Sequence, residues 1–168
     1  KINADEDISI GDVTVHPFRI SHDANEPVAY TFTQECATGR KKASVVTDLG
    51  YFDDYVVDNL RESDIMLVEA NHDINMLQVG PYPFYLKKRI LGNKGHLSNE
   101  TSGQLVNSLL HDNLKKIYLG HLSKENNYDK LAYETVKLEI DMSDNSFKSS
   151  DFDIEVANRD VLSGLCEI

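Results

Sequence analysis

The stretch Ile65-Met66-Leu67-Val68-Glu69-Ala70-Asn71-His72-Asp73 (IMLVEANHD) places four apolar side chains in a row, then a carboxylate, then polar residues. An apolar run without alternation reads as a strand buried on both faces, as in sheets whose parallel strands are joined by helical crossovers. Ile117-Tyr118-Leu119 is a second such run, and it leads directly into Gly120-His121. Two buried strands of this kind make α/β architecture the first expectation.

The flanking segments agree. Ile8 to Ile20 reads as two strands around the Gly11-Asp12 turn, with Val13, Val15 and Phe18 alternating. Val28 to Glu35 is β-branched and aromatic, hence a strand. The loop Ala37 to Arg40 reverses the chain, and Ala43 to Thr47 returns beside that strand. Phe52, Val56, Val57 and Leu60 have the spacing of one helix face. Pro81 and Pro83 interrupt a polar connection before a helix over Phe84 to Leu91. Ser98 or Asn99 would cap a helix running to about His111. Tyr128 to Ile140 reads as a further helix, and Asp151 to Ile168 as a strand or two with a tail. No repeat or linker divides the chain, so residues 1–168 form one layered α/β (α+β) unit.

Composition narrows the function. The 40% hydrophobic and 27% charged content is that of a globular protein, and no run approaches a membrane span. Cys36 and Cys166 fit no metal or redox spacing, so both are expected to be reduced thiols in the cytoplasm. A net charge of −11 argues against a general nucleic-acid-binding surface. Arg40-Lys41-Lys42 and Lys87-Lys88-Arg89, with Lys94 nearby, are the dense basic clusters, and each reads either as a solvated face or as a phosphate contact.

Three apolar strands end in metal-binding residue types: His22 after Phe18-Arg19-Ile20, Asp48 after Val45-Val46-Thr47, and His121 after Ile117-Tyr118-Leu119. In layered α/β sheets ligands gather beyond strand ends. Two imidazoles and a carboxylate suit Zn²⁺ or Mn²⁺, although each histidine alone also fits a hydrogen-bonded turn. Glu69 ends a buried strand, a costly place for a carboxylate unless it is paired. His96 precedes a helix N-terminus, and a Glu69 bonded to it would keep it protonated as a general acid. Otherwise His96 is a capping-loop residue and Glu69 is solvated.

The strings SHDANEPVAYTF, VVTDLGY, VEANHD, PYPFYLKKRILGNKGHLSNE and YLGHLSKENN, in this order, closely resemble the YycJ/VicX/WalJ-type metallo-β-lactamase-fold hydrolases. The E-A…G-H-x-S pairing also resembles loops of tRNA 3′-processing endonucleases. The resemblance implies an αββα sandwich, with His22 and His121 as metal ligands and Asp48 bridging two divalent ions (Zn or Mn). It implies Glu69 and His96 beside the leaving group, and exonuclease action on a nucleic acid, DNA rather than RNA. Asn71, His72, Lys88, Arg89, Ser98, Asn99, Ser123, Asn126 and Asn127 are the expected substrate contacts.

The family's H-x-H-x-D-H motif does not occur in these 168 residues, and the chain opens on Lys1 without a Met. It is therefore expected to be the C-terminal part of the fold, with three of seven metal ligands, weak metal binding and little activity. Its sheet should have one open apolar face, either covered by a second copy of the chain or driving aggregation. Two other readings stay open: a hydrolase of a small cyclic phosphodiester or lactone, and a non-catalytic interaction module.

Overall fold

Strand by strand, the chain lays down a single sheet in sequence order. The computed structural model describes residues 2–168. The strands are β1 (Ile8–Ile10), β2 (Val13–Arg19), β3 (Val28–Cys36), β4 (Gly39–Val46), β5 (Ile65–Glu69), β6 (Lys116–Gly120) and β7 (Asp153–Val156). They lie in the order β1-β2-β3-β4-β5-β6-β7. The pairs from β1 to β4 are antiparallel hairpins, whereas β4-β5, β5-β6 and β6-β7 are parallel. Each parallel step needs a crossover, supplied by the helices α1 (Asp54–Leu60), α2 (Ile74–Val79), α3 (Phe84–Ile90), α4 (Asn99–Asn107) and α5 (Asp129–Met142).

The core lies between one sheet face and these helices. Phe18, Val46, Met66, Val68, Ile117 and Leu119 meet Val57 and Leu60 of α1, Leu105 and Val106 of α4, and Val136 and Ile140 of α5. Each such side chain contributes about 1.5–3 kcal/mol by leaving water. Helices α4 and α5 approach closely at Gly103, where a Cβ would lie 2.5 Å from Glu139 Cβ.

The other face is apolar and lacks a covering layer. Pairing aligns Tyr30, Val45, Leu67 and Tyr118 across four strands, and Val45 is 39% exposed. The expectation that Ile65–Ala70 is buried on both faces is therefore corrected: Met66 and Val68 are buried, while Ile65 and Leu67 are half-buried on the open side. Part of that side is crossed by the C-terminal tail, where Gly164 O accepts from the Tyr118 hydroxyl at 3.0 Å.

Several local readings change. The hairpin turn is only Ala37-Thr38, because Cys36 already pairs with Gly39. Lys42, read as part of a basic cluster, is buried and donates to Asn59 O at 2.7 Å and Arg61 O at 2.6 Å, the carbonyls at the end of α1. The supposed polar connection contains α2, nucleated where Asp73 Oδ1 accepts from Met76 N at 2.7 Å. Its single buried residue, Leu77, gave no periodicity to read. Helix α4 ends at Asn107, short of His111, which instead approaches Ser63 O at 3.1 Å. One strand and a tail follow Asp151, as read from the sequence.

Candidate metal centre

Since β2 and β4 both pair antiparallel with β3, they run the same way, so β2, β4, β5 and β6 all end at one edge of the sheet. That edge gathers His22, Asp48, Glu69, His96 and His121. Asp48 Oδ1 lies 3.9 Å from His22 Nε2 and 3.5 Å from His121 Nε2. The carboxylate thus stands between two imidazoles.

Backbone conformation aims these groups. Asp48 has φ 63° and His121 φ 57°, the left-handed region that non-glycine residues seldom adopt. Such strain costs on the order of 1–3 kcal/mol and concentrates at functional sites. It turns each side chain off its strand and into the shared mouth.

Each imidazole is also held from behind. His22 Nδ1 donates to Gly95 O at 3.0 Å. Gly95 must be glycine, since a Cβ there would lie 2.1 Å from Ile90 O. His96 Nδ1 and His121 Nδ1 both donate to Glu69 Oε1, at 2.6 and 2.8 Å. With Nδ1 protonated and engaged, His22 and His121 keep a lone pair at Nε2, the atom each turns toward Asp48. A carbonyl or carboxylate behind a histidine is the usual support of a metal ligand.

Glu69 is the hub. Its side chain is wholly buried, and Oε2 accepts from Leu49 N at 3.1 Å and Leu97 N at 3.3 Å. Burial pushes this carboxyl up, but the hydrogen bonds from His121 and His96 outweigh it and hold Glu69 below its ordinary value. The Glu69 hydrogen bond in turn raises His121, against its own burial.

The donors fit a divalent cation. His22, Asp48 and His96 offer one ligand atom each within 4.8 Å of one another, as do Glu69, His96 and His121. The second trio is already satisfied by the Glu69 hydrogen bonds, which leaves Asp48 Oδ1 with the Nε2 atoms of His22 and His121 as the better cage. Its nitrogen and oxygen donors are those of Zn²⁺ or Mn²⁺. His96, read from sequence as an acid, therefore also stands within ligand range. No local pattern signals this, since His22 lies 74 residues before it in the chain.

The expected substrate residues divide into two groups. Asn71, His72, Ser98, Asn99, Asn126 and Asn127 are buried. Asn99 and Asn127 exchange side-chain hydrogen bonds at 3.0 and 2.8 Å, and Asn127 Nδ2 reaches Ala70 O at 2.9 Å. Asn71 Nδ2 donates to His121 O at 2.8 Å. These side chains fasten the loops after β5 and β6. Ser98 caps α4, accepting from Thr101 N at 3.2 Å. His72 is 1% exposed with both ring nitrogens unpartnered, and burial pushes its imidazole down to about 4. Lys88 and Arg89 are exposed, and Ser123 is half-buried. Asp23, which sequence reading did not single out, grips Arg89 at 2.5 and 2.8 Å and is held by it down to about 2.

No family model matches the chain. It is 38% identical over 160 residues, 95% of its length, to a protein of Streptococcus pneumoniae named exodeoxyribonuclease WalJ, covering 58% of that protein. It is 38% identical over 128 residues to exodeoxyribonuclease YycJ of Bacillus anthracis, covering 76% of this chain and 47% of that one. The crystal structure of YhfI from Bacillus subtilis, a metallo-β-lactamase fold protein, superposes with a TM-score of 0.60 at 12% identity, over 93% of this chain and 50% of YhfI. This is a metallo-β-lactamase-fold chain. Its sequence relatives include the WalJ and YycJ proteins, and it spans 58% of the length of the first of them.

Proposed function

We propose that this chain is the C-terminal part of a metal-dependent phosphodiester hydrolase that acts as an exonuclease on DNA in the cytoplasm. The observation that carries the reading is the approach of His22 Nε2 and His121 Nε2 to Asp48 Oδ1, each ring braced through Nδ1. The exodeoxyribonuclease names of two relatives support the substrate class, and Cys36 and Cys166 are unpaired, as suits a reducing compartment.

His22, Asp48 and His121 would hold the cations, two in the whole protein. Bound there, divalent metal supplies Lewis acidity and brings the pKa of water near neutrality. The chain's own residues do the rest. Glu69 fixes the tautomer and direction of His121 and His96, making it a positioning residue. His96, with Nδ1 on Glu69, keeps Nε2 for proton delivery to the leaving oxygen. Lys88, Arg89 and Ser123 are the substrate contacts, because burial of the other polar residues keeps them behind the loops. A second copy of the chain on the Tyr30–Val45–Leu67–Tyr118 face belongs to the same proposal.

The test is degradation of end-labelled linear DNA by the full-length protein with Zn²⁺ or Mn²⁺. Loss of label from the ends, abolished by EDTA, is expected. If the metal-loaded protein cleaves a small cyclic phosphodiester or a lactone but leaves DNA intact, the nuclease reading fails. Binding to DNA that falls steeply with salt, unlike that of a small ligand, would accompany the expected result.

A further inference from the structure

The surface beside the centre has a composition unlike the rest of the chain. Residues 74–99 contain Lys87, Lys88, Arg89 and Lys94 and no Asp or Glu, in a protein of net charge −11. In the middle of this stretch α3 turns two aromatic side chains outward: Phe84 is 81% exposed and Tyr85 73%. Two adjacent exposed aromatics form a contiguous apolar patch, the kind of surface that marks interaction sites. The helix spacing puts Phe84 one turn from Lys88, and Tyr85 one turn from both Lys88 and Arg89.

The platform is clasped to the metal centre. Arg89 grips Asp23, the neighbour of His22. Ser21 Oγ donates to Asn93 O at 2.7 Å, Asp23 N to Lys94 O at 3.1 Å, and His96 N to Ile90 O at 3.0 Å. Helix α3 therefore cannot shift without moving His22 and His96. From Arg89 back to Phe84 is about 7 Å along the helix axis, a distance a nucleotide or two can span. Arg89 is engaged by Asp23, and Lys87 by Gln78 O and Gly80 O at 2.7 Å. Lys88 and Lys94 are exposed and enter no ion pair among the described residues.

From this geometry we infer that the outer face of α3 binds single-stranded DNA: Phe84 and Tyr85 stack on bases, and Lys88 and Lys94 pair with phosphates leading to the centre. The inference rests on the nuclease reading for its substrate and extends it to a single-stranded end and to named stacking residues. Aromatic side chains combined with a basic track are how proteins hold single strands without sequence preference. Charge complementarity selects this occupant, because the acid-free stretch suits a polyanion and is set in an otherwise acidic chain.

The experiment is binding of a short fluorescent oligodeoxythymidylate in EDTA, followed by anisotropy, so that metal chemistry plays no part. The Phe84→Ala/Tyr85→Ala double variant should bind about tenfold or more weakly with an unchanged dependence on salt. Lys88→Gln should also weaken binding, and its salt slope should fall by about 0.7, the value for one phosphate contact on a single strand. An abasic oligonucleotide should bind the wild type as weakly as the thymidine oligonucleotide binds the double variant. Both aromatic rings are exposed, so melting temperatures should match and exclude misfolding. Equal affinity of wild type and double variant overturns the proposal, as does failure of the wild type to bind single strands. So does a double variant whose only change is loss of self-association in sedimentation, which would make α3 a protein interface. Wild-type binding together with a metal-loaded full-length protein that leaves DNA intact would refute the nuclease reading alone.

Discussion

Glu69, wholly buried at the end of β5, binds His121 across 52 residues of sequence through a 2.8 Å hydrogen bond to its Nδ1. The same oxygen takes His96, and the other oxygen takes two backbone N–H groups, so one carboxylate orders the whole mouth of the sheet. Glu69→Gln should therefore act first on stability. An amide must turn its NH₂ either toward two backbone N–H groups or toward the two imidazoles, which would then give up their Nδ1 protons and the tautomer that leaves Nε2 free. A loss of about 3 kcal/mol is expected, read as a fall in melting temperature on the order of 10 °C. A melting temperature equal to the wild type would show that the hub is dispensable.

His96→Ala and His121→Ala separate the two histidines. In the full-length protein His121→Ala should lose metal, measured by elemental analysis. His96→Ala should keep its metal and lose turnover by about 10²–10⁴-fold, the usual contribution of a positioned acid. Equal metal loss in both would assign His96 to the cage with His22 and Asp48, whose ligand atoms lie within 4.8 Å of its own.

Asp48 holds a left-handed φ of 63° beside His22 and His121. Asp48→Gly removes that strain, and the metal-free chain should gain about 1 kcal/mol, or roughly 2–4 °C. The stabilisation that Zn²⁺ or Mn²⁺ gives the wild type should disappear in the same variant. A variant that loses stability without metal would refute the assignment of strain.

Lys42 offers a pH test away from the centre. Burial, with Arg40 nearby, pushes its ammonium down to about 8 from the ordinary 10.5. The folded chain then releases this proton before the unfolded chain does. Between pH 8 and 10.5 the unfolded state binds more protons, so this group's contribution to stability rises with pH; below 8 both states are charged and the cost of burial is felt in full. Relative to Lys42→Met, the wild type should gain on the order of 1–3 kcal/mol across that window. Parallel denaturation curves for the two proteins from pH 7 to 10.5 would contradict it.

The open face predicts self-association. Val45, 39% exposed between Tyr30 and Leu67, should tolerate Val45→Lys in the folded chain while the charge blocks contact between copies. Sedimentation should show the wild type shifting to larger species with concentration and the variant remaining monomeric. A wild type that stays monomeric at high concentration would sink the idea.

Much of this arrangement was legible in the sequence because it is local. Apolar runs and turns located β2 to β6, and His22, Asp48 and His121 stand within three residues of strand ends whatever the strands pair with. The αL backbone at Asp48 and His121, the burial of His72 and the Asn99–Asn127 pair were not legible, nor was α2 with its single buried residue. What the sequence by itself determined is which side chains arrive at the edge of the sheet, since strand period and length depend on neighbours in the chain. What only the tertiary structure decided is which of them touch: Glu69 with both histidines, Gly95 with His22, Arg89 with Asp23. Those contacts span 27 to 73 residues and depend on the parallel register of β4, β5 and β6 and on the path of each crossover, which no local pattern encodes.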